Sequence, residues 1–101
     1  MNISRQGDLL IIEVSEVPQG KPVRRENQRL ILARGEVTNH AHAIATPNVK
    51  LIEAFQEHYI VAPVPFQITH EEHATVEMPA GTFKVIRQRE YSPETIRRIA
   101  D

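Results

Sequence analysis

Four of the five histidines fall in two short windows, Thr38-Asn39-His40-Ala41-His42 and Thr69-His70-Glu71-Glu72-His73. Imidazole is the commonest metal-ligating side chain, and the second window adds two carboxylates. In a strand, residues i and i+2 leave the same face about 6–7 Å apart, so His40 and His42 can converge on one ion with Thr38 beside them. His70 and His73 point to opposite faces of a straight strand. A turn at Glu71-Glu72 would let both face one way. A regular strand would admit only one of them, with the glutamate of matching parity (Glu72 with His70, or Glu71 with His73). The expected metal ligands are His40, His42, His70 and His73. Such an imidazole-rich, thiolate-free set suits zinc best, with iron, nickel or manganese as alternatives. Three protein ligands and an open position would hold a water whose pKa drops to about 7, ready to attack an electrophile. Glu71 or Glu72 would serve as general base, or as the acceptor that fixes an imidazole tautomer. Glu36 is a further candidate at the mouth.

Blander readings compete. The histidines could sit on a solvated sheet face, or act in acid–base chemistry without a metal. His58 stands alone and is read as structural. The basic residues Lys21, Arg24 and Arg25 read as a solvated loop more readily than as a phosphate contact. Gln88-Arg89-Glu90-Tyr91 reads first as an ion pair and a packing tyrosine.

The elements that must position these windows are short strands. Arg5 to Asp8 reads as a turn around Gly7. Leu9 to Val14 is β-branched and apolar on both faces, the pattern of a central strand. Ser15 to Gln28 reads as a long exposed loop. Arg29 to Arg34 is a strand broken at Gly35, and Val37 to Ile44 alternates. Val49 to Phe55 and His58 to Ala62 form a hairpin across Gln56-Glu57, although neither turn residue is the favoured glycine or asparagine. Pro63 and Pro65 mark an edge or crossover. Phe66 to Thr69, Ala74 to Met78 and Thr82 to Gln88 are further strands, the last two joined by the Pro79-Ala80-Gly81 turn. Ser92-Pro93 starts a short helix to Ala100, with serine as N-cap and proline at N1.

Seven or eight short strands and one terminal helix predict a mainly β fold, a small antiparallel barrel or sandwich. The 101 residues make a single domain, 1–101. With 41% apolar residues and roughly 60–65% of the unfolded surface buried at this size, the core is thin, and a homo-oligomer is expected. A net charge of −1 favours neither nucleic acid nor an anionic membrane. The absence of cysteine excludes disulfides and thiolate zinc sites. No apolar run is long enough to span a bilayer and no leader pattern opens the chain, so a cytoplasmic location is expected.

Two resemblances add to this. Gly35, His40-Ala41-His42 and Pro79-Ala80-Gly81 resemble the cupin motif pair. No glutamate follows His42 at the cupin distance and no histidine follows Gly81. Only the β-barrel architecture and the first histidine pair carry over, and His70 or His73 would replace the late histidine. More closely, the chain resembles a family of short bacterial and phage proteins of unassigned activity. Its members share Arg-Gln-Gly-Asp (here Arg5 to Asp8), Gly-Glu-Val-Thr-x-His-x-His (Gly35 to His42), Thr-His-Glu-Glu-His (Thr69 to His73) and Gln-Arg-Glu-Tyr-x-Pro (Gln88 to Pro93). Asn39 stands where the family usually has glycine. The resemblance implies that the two windows belong together.

The expected function is a small metalloenzyme that uses metal-bound hydroxide to hydrolyse or hydrate a small molecule, with carbon dioxide hydration as one concrete case. The alternatives are an iron-dependent redox protein on the same ligands, or a non-catalytic binding module, such as a phage accessory protein, with a structural metal.

Overall fold

A computed structural model describes residues 3–35 and 38–88. The described chain is mainly β, with ten short strands. Six of them, β1 (Ile3–Gln6), β2 (Leu9–Glu13), β3 (Lys21–Pro22), β6 (Lys50–Ala54), β7 (Glu57–Ala62) and β10 (Gly81–Arg87), form one antiparallel sheet in the order β1-β2-β10-β7-β6-β3. The strands β4 (Leu30–Arg34) and β5 (Ala41–Ile44) make a second ladder, and β8 (Phe66–Ile68) and β9 (Val76–Met78) a third.

The large sheet ends at β1 and β3 and does not close into a barrel, so the barrel expectation is corrected. Its inward face carries Leu9, Ile11, Leu51, Ile60, Phe83 and Val85. Leu30 and Ile44 from the second ladder and Phe66, Ile68 and Met78 from the third pack against them in one core. Phe66 meets Phe83 edge-on at 5.7 Å. No described helix is long and apolar enough to cross a membrane. The helix expected from Pro93 to Ala100 lies outside the described residues.

Three local departures from the sequence reading have physical causes. Arg5 and Gln6 belong to β1, and the turn shrinks to Gly7-Asp8 with Gln6 opposite Leu9. Gly7 has φ +61°, the backbone that a two-residue II′ turn requires at its first central position. Ser15 to Gln28 is not simply an exposed loop. Strand β3 pairs with β6 inside it, with Pro22 on the sheet edge where a missing N–H is tolerated. Arg25 donates to the carbonyls of Gln28, Thr46 and Val49 at 2.7–3.1 Å, so this member of the basic run clamps the loop to the strands. Finally, the hairpin turn is Phe55-Gln56, with Ala54 opposite Glu57. Both turn residues have positive φ, 53° and 63°.

Candidate metal centre

Strands β5 and β8 meet at a single bridge. Ala43 and Thr69 exchange two backbone hydrogen bonds of 3.0 and 2.8 Å. Continuing that antiparallel register sets His42 opposite His70, Ala41 opposite Glu71 and His40 opposite Glu72. Opposed residues in a pair leave the same face. The contacts follow this order. The His42 and His70 rings lie 4.4 Å apart, Ala41 N–H donates to Glu71 Oε1 at 2.8 Å, and His40 Nδ1 lies 3.6 Å from Glu72 Oε2. The two histidine windows therefore form one cluster because one bridge fixes their register.

Beyond the bridge the chain turns. His70 Nδ1 accepts the N–H groups of Glu72 at 3.0 Å and His73 at 3.3 Å. That engagement brings the His73 ring to 4.6 Å from His70 and to 6.0 Å from His42, nearly parallel to the latter. His73 lies over the β1–β2 turn. A Cβ placed on Gly7 would fall 2.6 Å from His73 Nε2, so a larger residue there would displace the exposed His73 ring, while the positive φ itself favours glycine.

His40 and His42 both pack against the His70 ring, on the shared face that the bridge register gives them, although the strand itself does not run through His40. Strand β5 begins only at Ala41, and Gly35 N–H donates to His40 O at 2.9 Å to close the hairpin loop. His40 is half-buried and meets His70 edge-on at 5.7 Å. His42 is 4% exposed.

Three residues outside the histidine windows complete the cluster. Gln6, 3% exposed, donates both amide protons, one to Ile68 O and one to Ala74 O, each at 2.9 Å. Two carbonyl acceptors fix which end of the amide is nitrogen. Its Oε1 therefore accepts from His42 Nδ1 at 2.7 Å, so that nitrogen carries the proton and His42 Nε2 carries the lone pair. His42 Nε2 faces Asp8 Oδ1 at 3.5 Å. On its other oxygen Asp8 accepts from Arg87 Nε at 3.1 Å, and Arg87 also donates to Arg34 O at 2.6 Å.

The charges follow from these contacts. Burial lowers the His42 pKa, and the fields of His70, His73 and Arg87 lower it further, against the pull of Asp8. Burial raises the Asp8 pKa, but the Arg87 hydrogen bond and charge outweigh it and the net shift is downward. Glu71 is held below the ordinary carboxylate range by the Ala41 N–H. A deprotonated carboxylate oxygen and the unprotonated nitrogen of a neutral imidazole thus lie 3.5 Å apart.

Among the described residues, no group of three or more histidines, aspartates or glutamates is gathered tightly enough to hold an ion as it stands. His42 and Asp8 supply two converging donors. His73 is the nearest ring with an exposed, movable side chain. His70 has its Nδ1 engaged by backbone, so its neutral form keeps a proton on Nε2 and offers no lone pair there. Glu71 is tied to the β5 backbone, whereas Glu72 is mostly solvent-exposed beside His40. Glu36 lies outside the described residues. His58 lies on β7, outside the cluster. Sequence reasoning missed Gln6, Asp8 and Arg87 as site residues. For Gln6 and Asp8 the only hint was the polar Arg5–Asp8 segment directly before an apolar strand, and Arg87 carried none.

The family model described as Domain of unknown function (DUF8820) matches residues 5–88. That span includes Gln6, Asp8, all four clustered histidines and Arg87. No curated protein and no solved structure matches the chain.

Proposed function

The chain belongs to this DUF8820 family, and we propose that its member here is a small metalloprotein in which His42 Nε2 and Asp8 Oδ1 hold a divalent ion, with zinc favoured over iron, nickel or manganese. One observation carries the reading. Two donors at 2.0–2.1 Å from a tetrahedral ion stand about 3.3–3.4 Å apart, and these two, neither of which has a proton to offer the other, stand 3.5 Å apart. A cation resolves that juxtaposition. His73 completes the ligand set by rotation of its exposed ring, and His40 lines the approach. The remaining coordination position holds water, and Glu72 is the carboxylate free to take its proton. The reaction is hydrolysis or hydration of a small molecule in the cytoplasm, with carbon dioxide as the first substrate to assay. A homo-oligomer without nucleic-acid or membrane partners fits the small size and near-neutral charge.

A second reading has its own support. The His70 engagement of two backbone N–H groups is what a purely structural histidine cluster would use to lock its turn. Zinc titration of chelator-stripped protein separates the two. The metal reading expects one tight site, weakened at least tenfold by His42→Ala and by Asp8→Asn and less by His70→Ala. Absence of stoichiometric zinc binding, or equal effects of all three substitutions, supports the structural reading and overturns the first.

A further inference from the structure

The two layers part at one end of the molecule. Leu9, Val85 and His58 on the large sheet face Leu32 and Ala33 of β4 across a cleft of about 430 Å³, and Arg87 stands at its side. Registers show how this wall is built. Val85 pairs with His58 across β10 and β7, and Arg87 pairs with Leu9 across β10 and β2. Paired residues and alternate residues of one strand share a face, so Leu9, His58, Val85 and Arg87 all point between the layers.

The charge turned into this cleft is one-sided. Arg87 has donors and no acceptor. Glu57 also borders the cleft, but its carboxylate is bonded to Lys84 at 3.0 Å and to the Tyr59 hydroxyl at 3.0 Å. Lys84 and Tyr59 are paired residues on the opposite face of the sheet, so the Glu57 charge is turned away. What remains is an apolar floor with a guanidinium, an imidazole and the neutral Gln56 amide at its edge. Arg87 is already shared with Asp8, which leaves too little positive charge for a dianion. A volume in the range of ordinary ligand pockets, an apolar floor and one partly neutralised cation fit a small organic acid with a single carboxylate.

We propose that this interlayer cleft is a binding site for a small monocarboxylate with an apolar body, seated on Leu32, Ala33 and Val85 with its carboxylate at Arg87 and His58. The proposal stands without the metal reading, and its test uses chelator-treated protein.

The probes are benzoate and its neutral isostere benzamide, followed by amide chemical shifts in NMR titration. Benzoate is expected to saturate with shifts at Leu9, Ala33, His58 and Arg87, and to bind about tenfold more tightly than benzamide, the gain of one charge-assisted contact. Arg87→Gln is expected to erase that difference, and Ala33→Phe, which fills the cleft from the β4 side, to abolish both titrations while the protein stays folded by thermal melt. Shifts elsewhere, equal binding of the two probes, or benzoate binding that survives Ala33→Phe would overturn the proposal.

Discussion

The Gln6 amide is the most informative group to perturb. Gln6→Met keeps the side chain's length and removes three hydrogen bonds, two of them fully buried, to Ile68 O and from His42 Nδ1. Leaving a buried partner unpaired costs about 1–3 kcal/mol, so the two buried bonds predict a loss of about 2–6 kcal/mol. That is a large share of the roughly 5–15 kcal/mol that stabilises a domain. Urea denaturation measures it. The sharper readout is the tautomer of His42. Nitrogen NMR of chelator-treated wild type is expected to show Nδ1 protonated and Nε2 bare, and Gln6→Met to lose that preference along with about ten- to a hundredfold in zinc affinity. Gln6→Glu separates stability from tautomer. Its carboxylate still accepts from Nδ1 but cannot donate to Ile68 O or Ala74 O, so stability falls while the tautomer persists. A wild-type His42 protonated at Nε2, or a Gln6→Met variant with unchanged tautomer, would refute the reasoning.

Two further outcomes follow from the structure. The Phe55-Gln56 turn holds two non-glycine residues at positive φ, and Phe55 is 81% exposed, so it loses little packing when replaced. Phe55→Asn combined with Gln56→Gly supplies the sequence such a turn prefers and should stabilise the protein by about 1–2 kcal/mol; an unchanged urea midpoint would count against the strain. The pH dependence has a definite sign. Because the folded pKa of His42 lies below its ordinary 6.5, the unfolded chain takes up the proton first on acidification. Stability in chelator should therefore fall as pH drops past about 6.5, by at most about 1.4 kcal/mol per pH unit, and stop falling from this source below the folded pKa. The same denaturation series on His42→Gln should be flatter between pH 7.5 and 5.5, and identical slopes would sink the assignment.

The strands were legible because burial stamps a period on them. Leu9 to Glu13, Leu30 to Arg34 and Gly81 to Arg87 all fall where the apolar pattern puts them. The closeness of the two histidine windows was legible from their composition alone. Strand parity puts His40 and His42 on one face, and both meet His70 there, but it does not say that β5 begins only at Ala41 and that His40 sits in the hairpin loop. Gln6, Asp8 and Arg87 were not legible as site residues because a local pattern cannot encode who sits across a sheet. Gln6 reads as part of a polar turn until β8 and β5 are brought beside it. Ser15 to Gln28 looked like loop because Arg25 stabilises it through carbonyls distant in the chain.

The bonds that assemble the histidine cluster join residues far apart in sequence. Gln6 to Ile68 spans 62 positions, Gln6 to His42 spans 36, and Arg87 to Asp8 spans 79. Hairpins such as β1–β2 and β6–β7 close within microseconds, whereas contacts of this separation wait for the large loops to be drawn in, at an entropic cost that grows with their length. The cluster is therefore absent from any partly folded chain, however much of its strand content has formed. A ligand that needs Gln6, His42, Asp8 and Arg87 together meets only the completed fold. By binding that state alone it draws slow or incompletely folded molecules toward it, by an amount set by its concentration relative to its dissociation constant.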